Sequence, residues 1–125
     1  MSTRWTFLAT ALLVVAIGCD SGPSGPGALI GRVSGPSLGA VLMEVEGAGI
    51  NGFSGLGDTQ IYTNEHPDRP GAHRVLLVHP QGGDMSFEIA VDDVGMEGPS
   101  VIVIQVAGAD NLTISSSSAT VTIER

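Results

Sequence analysis

Cysteine occurs once in this 125-residue sequence, at Cys19, and lysine does not occur at all. A single cysteine excludes an internal disulfide framework, and in an oxidising compartment a leftover thiol is a liability unless it is modified. Aromatic residues make up 4% of the chain, and downstream of residue 20 they reduce to Phe53, Tyr62 and Phe87. Positive charge is scarce as well, with five arginines against 13 Asp and Glu. Loss of a leader containing Arg4 leaves four arginines and a side-chain balance of −9. So acidic a surface repels nucleic acid and anionic headgroups, which argues against both as partners, while cation binding stays open. Beyond the leader, no window of ten or more residues carries a 3.6-residue apolar repeat, so a helical core is not expected.

What is present begins with residues 1–20. Arg4 supplies a positive start, Trp5 to Ile17 form an apolar run, and small Gly18 stands directly before Cys19. This is the pattern of an export signal. As a helix the run would span only about 20 Å, against a hydrocarbon core of about 30 Å, which disfavours a membrane span. Ala16-Ile17-Gly18-Cys19 resembles the lipobox of bacterial lipoprotein precursors. The resemblance implies cleavage between Gly18 and Cys19, lipidation of Cys19, and a protein held at a membrane of the bacterial cell envelope. Leu is the commonest residue of that motif where Ala16 stands here. Several acyl chains on one cysteine would anchor stably, since each buried methylene contributes about 0.8 kcal/mol.

The domains expected are a signal peptide at 1–18, a lipidated Cys and Gly/Ser/Pro tether at 19–27, and a folded domain at 28–125. From Ala28 onward, short apolar runs are punctuated by Gly, Pro, Asn, Asp and Ser, the grammar of an all-β chain. Strands are expected at Ala28–Ser34, Ala40–Glu46, Thr59–Thr63, His73–His79, Met85–Val91, Val101–Ala107, Leu112–Ile114 and Ala119–Glu124. Two of them alternate cleanly. Val41, Met43 and Val45 should face inward, as should Met85, Phe87, Ile89 and Val91, leaving Glu44, Glu46 and Glu88 wet. The turn Pro80 to Asp84 predicts a hairpin between its flanking strands. Val101–Ala107, nearly continuous in β-branched residues, reads as a central strand covered on both sides. Seven or eight strands without a covering helix predict a single small β-sandwich of two sheets. GAVLMEVEG and MSFEIAVDD loosely resemble, in rhythm only, the strands of cohesin-like and immunoglobulin-like modules, and no binding residue follows from that likeness.

The chemistry-bearing motifs are weak. Gly47 to Gly52 spells G-x-G-x-x-G after a strand, but Phe53 to Asp58 reads as a loop where a dinucleotide site needs a helix. Ser54 lacks the flanking glycine of a nucleophile elbow, since Leu56 holds that place, and no cysteine nucleophile remains in the mature domain. His66, Asp68 and His73 bracket a Pro-rich loop that could turn both imidazoles toward one ion, whereas His73 and His79 lie too far apart along a strand to chelate together. Asp84, Asp92, Asp93 and Glu97 offer hard oxygen ligands without a D-x-D-x-D-G loop. No catalytic residue, cofactor or metal site is assigned. The leading expectation is a non-enzymatic envelope lipoprotein whose sandwich is a structural or protein-interaction module. Its rivals are a carbohydrate-binding module using Phe53 and Tyr62, with envelope polysaccharide as partner, and a small metal-dependent hydrolase.

Overall fold

A computed structural model describes residues 23–125, so the signal segment, the cleavage position at Gly18 and the lipidation position at Cys19 lie outside the described residues. Nine strands follow in order: β1 Gly27–Ser34, β2 Leu38–Glu46, β3 Ile50–Leu56, β4 Gln60–Glu65, β5 Ala72–Val78, β6 Met85–Val91, β7 Ser100–Gly108, β8 Thr113–Ile114 and β9 Thr120–Glu124. A 3-10 turn at Ser116–Ser118 precedes β9, with the Ser115 hydroxyl accepting from the Ser117 amide. The strands form two antiparallel sheets, β3-β6-β1-β9 and β4-β5-β2-β7-β8. The fold is the expected two-sheet β-sandwich.

Apolar residues at alternate positions set the inner faces. Val41, Met43 and Val45 from β2 are fully buried, as are Met85, Phe87 and Ile89 from β6, with Val91 nearly so. Leu29 and Val33 from β1, Val75 and Leu77 from β5 and Val106 from β7 complete one core. Its largest fully buried side chain is Phe87, which pairs across β1 with Gly31 and across β3 with Gly55. A Cβ on Gly31 would fall 2.2 Å from the Phe87 ring. The ring therefore occupies space that a side chain at Gly31 would need.

Three expectations change. The turn at Pro80 to Asp84 does not close a hairpin, because β5 already has β4 on one edge and β2 on the other, leaving β6 no place beside it. The turn instead carries the chain to the opposite sheet, with Gly82 and Gly83 at positive φ and the Gly83 amide donating to the Leu38 carbonyl. Strand β7 is not covered on both sides. Its short neighbour β8 pairs only with Val106 and Ala107, and Ile102 and Ile104 are 63% and 41% exposed. Lastly, Phe53 to Leu56, read as loop, belongs to strand β3, whose pairing with β6 supplies the hydrogen bonds that its glycine-rich sequence does not advertise.

This packing sets a contrast between neighbours on β6. Phe87→Ala should cost about 3 to 5 kcal/mol through lost burial and a residual cavity, and Gly31→Ala should cost about 1 to 3 kcal/mol by overpacking against the same ring. Glu88→Ala, facing outward, should change stability by less than about 0.5 kcal/mol. Urea denaturation of the three variants measures this; a Glu88→Ala loss as large as that of Phe87→Ala would show the opposite register.

Candidate functional site

One end of the sandwich gathers the start of β1, the β2–β3 turn, the β4–β5 loop and the β6–β7 loop. Here the chain enters from its N-terminal segment. The Asp93 carboxylate accepts from the backbone amides of Gly95, at 2.8 Å, and Gly25, at 2.9 Å. The Val94 amide donates back to the Gly25 carbonyl at 2.9 Å. Those two amide bonds, Gly95 first and Gly25 second, hold the Asp93 carboxyl below its ordinary pKa. Asp92, beside it, accepts from the Asn51 side-chain amide at 2.7 Å. Asp92 and Asp93 thus fasten loops, and Asp84 sits at the opposite end of β6.

His66 and His73 are placed by different partners. The backbone N–H of Asp68 donates to His66 Nδ1 at 3.1 Å, which folds the loop locally. His73 points between the sheets, its Nε2 3.4 Å from a Glu65 oxygen and its Nδ1 buried with no partner among the described residues. Its ring meets Phe53 edge to face, with centroids 5.3 Å apart. Among the described residues, no three His, Cys, Asp or Glu side chains come together to hold a metal ion. At Gly47 to Gly49 the chain turns tightly, with Gly49 at positive φ, and continues as strand β3.

Phe53 and Tyr62, paired in the sequence reading, lie on different surfaces. Phe53 pairs with Ile89 and packs against the core. Tyr62 pairs with Leu76 on the outer face of the five-stranded sheet and is 58% exposed, its hydroxyl donating to Gln60 Oε1 at 3.4 Å. Two rings on opposite sides of a sheet make no common stacking platform.

The surface around Tyr62 is the most distinctive feature of the exterior. Cross-strand register places Tyr62, Leu76, Leu42 and Gln105 in one outward row and Gln60, Val78, Ala40 and Ala107 in the next. These rows contain no charged residue, and Ile104 adds to them at a bulge in β7. Ala40, Leu42, Leu76, Gln105 and Ala107 line a shallow depression at their centre. The following row, Asn64, Arg74, Glu44 and Ile102, carries the charge. Arg69 reaches over it from the β4–β5 loop to bond Glu44 and Glu46, and these bonds, Glu46 foremost, raise the guanidinium pKa. Sequence reasoning found Tyr62 but missed Leu42, Leu76 and Ile104. The available signal was that Ala40, Leu42, Leu76 and Val78 are apolar at the parity that Glu44 and Arg74 mark as wet.

Comparison with protein families, curated proteins and solved structures finds no match to this chain.

The Asp93 tie has a pH signature. Because its folded-state pKa is depressed, its stabilisation is fully present above the ordinary carboxylate pKa of about 3.9 and disappears as pH falls through the lowered value. Asp93→Ala should therefore remove hydrogen-exchange protection from the Gly25 and Gly95 amides at neutral pH while leaving β6 protected. Unchanged protection at both glycines would contradict the tie.

Proposed function

We propose that the protein is a lipid-anchored component of the bacterial cell envelope whose sandwich serves as a non-catalytic interaction module. The observation that carries this reading is the sole cysteine, placed directly after Gly18 at the end of a short apolar run. Lipidation of Cys19 accounts for a thiol that would otherwise stand unpaired in an oxidising compartment. The way the chain enters the sandwich sets how an anchored domain would sit. At no more than about 3.6 Å per residue, the six steps from Cys19 to the fastened Gly25 reach roughly 20 Å. The end of the sandwich holding the β2–β3, β4–β5 and β6–β7 connections would then sit beside the bilayer. An acidic domain stays soluble there, repelled by anionic headgroups.

The interaction surface favoured under this reading is the uncharged outer face of the five-stranded sheet. Exposed apolar area grouped in one patch marks interaction sites on soluble domains, whereas singly scattered apolar residues do not. The outer face of the other sheet carries Arg32, Ser86, Glu88, Thr122 and Glu124, with an ion pair between Arg32 and Glu124 at 3.3 Å. Ile30 and Leu56 lie among these polar groups, so the apolar area of that face is broken up by charge.

Cys19→Ser should abolish incorporation of labelled fatty acid and move the protein out of the membrane fraction or leave it unprocessed. Metabolic labelling and fractionation of expressing cells measure both, and equal labelling of variant and parent would overturn the anchor.

A further inference from the structure

The register of the five-stranded sheet makes its outer face complementary to itself. Across β4, β5, β2 and β7 the charged row reads Asn64, Arg74, Glu44, Ile102, with the cation on β5 and the anion on β2. A two-fold axis lying in the face, parallel to the strands and midway between β5 and β2, would set β5 of one copy over β2 of the other. Arg74 then opposes Glu44 of the second copy, and Glu44 opposes its Arg74. In the uncharged rows the same operation sets Leu76 over Leu42, Val78 over Ala40 and Tyr62 over Gln105. A two-fold interface must present one patch to itself in this manner.

We propose that this face is a dimer interface, occupied by the same face of a second copy of the chain. Sheets that pack face to face in aligned fashion lie about 10 Å apart with strands within about 30°, so the rows stay matched near the axis. Charge favours a second copy here more than elsewhere. Each chain carries a net charge of −8, yet Glu44 and Glu46 on this face are balanced by Arg69 and Arg74. The face is thus the place where two acidic copies approach at the least electrostatic cost. Four strands about 4.8 Å apart and up to 30 Å long offer on the order of 600 Å² of flat area. That is near the roughly 800 Å² of accessible surface each partner gives to a standard interface, and points to a dimer of modest affinity. The axis also brings both Gly25 segments out at the same end, as two anchors in one membrane require; this last point alone rests on the function proposed above.

The test uses two tagged versions of the full chain, Tyr62→Cys and Gln105→Cys, co-expressed and treated in cells with a permeant short bismaleimide. Chains carrying only the native Cys19 set the background. The mixed pair should crosslink well above the Tyr62→Cys homodimer, because the axis opposes Tyr62 to Gln105 and keeps the two Tyr62 positions apart. Thr122→Cys, on the outer face of the other sheet, should not exceed background. Adding Leu76→Glu to both chains should lower the mixed product at least about tenfold by forcing a charge into the interface. Circular dichroism of this variant distinguishes lost pairing from lost folding, since Leu76 lies outside the core. No mixed product above background, equal mixed and homotypic products, or crosslinks solely to another protein would each overturn the dimer. Crosslinking in whole cells does not require Cys19 to be lipidated, so failure of the anchor and failure of the interface are read separately.

Discussion

The ring of Phe87 rests in the space that the missing side chain of Gly31 leaves beside it, and this seat fixes the register of β6 against β1. Within the four-stranded sheet its neighbours are Gly31 on β1 and Gly55 on β3. A Cβ at Gly31 cannot coexist with the ring in place, and one at Gly55 would meet the Thr59 carbonyl oxygen at 2.2 Å. A slip of one residue would turn Glu88 into the core and Phe87 into water, so burial and register are one constraint. With about 5 to 15 kcal/mol holding a domain of this size together, a group whose removal costs several is not replaceable by small adjustments elsewhere.

From that constraint follows the division of the surface. The chain crosses between sheets at most of its connections, keeping consecutive strands in a sheet only at β4–β5 and β7–β8. Each inner face is therefore assembled from segments distant in sequence, and each outer face inherits the opposite parity. In β1 and β6 that parity supplies Arg32, Ser86 and Glu88 around Ile30; in β2 and β5 it supplies Leu42, Leu76 and Val78 beside Glu44 and Arg74. One exterior is wet and the other half apolar, although both come from the same alternation. The charge of the second exterior lies at the end nearer the N-terminal segment, where Arg69 and Arg74 pair with Glu44 and Arg69 with Glu46.

What could be read from the chain alone was whatever obeys period two within one strand. The inward set Met85, Phe87, Ile89 and the wet position Glu88 are legible because neighbours of opposite polarity alternate without exception. Strand β7 was not legible in the same way: a run of β-branched residues looks alike whether it is covered on both sides or open along an edge. The turn after Val78 carries hairpin residues, but whether it closes a hairpin depends on β4 and β2 having taken both edges of β5, which no local signal reports. Gly31 under Phe87 is likewise a matter of cross-strand register between residues 56 positions apart. Of the candidate surface, Tyr62 was visible as a rare aromatic residue. Its separation from Phe53 was not, since the two strands belong to different sheets. Leu42 and Leu76 were masked by the more conspicuous Glu44 and by the apolar run around them.

The seat of Phe87 is tested most directly by nuclear magnetic resonance of the folded chain. An aromatic ring held against a glycine displaces that glycine's α-proton resonances and exchanges magnetisation with them. Gly31 α-protons should be shifted strongly upfield and should show nuclear Overhauser effects to the Phe87 ring. Gly31 α-protons at unperturbed positions, without contacts to Phe87, would contradict the packing that fixes the register of β6 against β1.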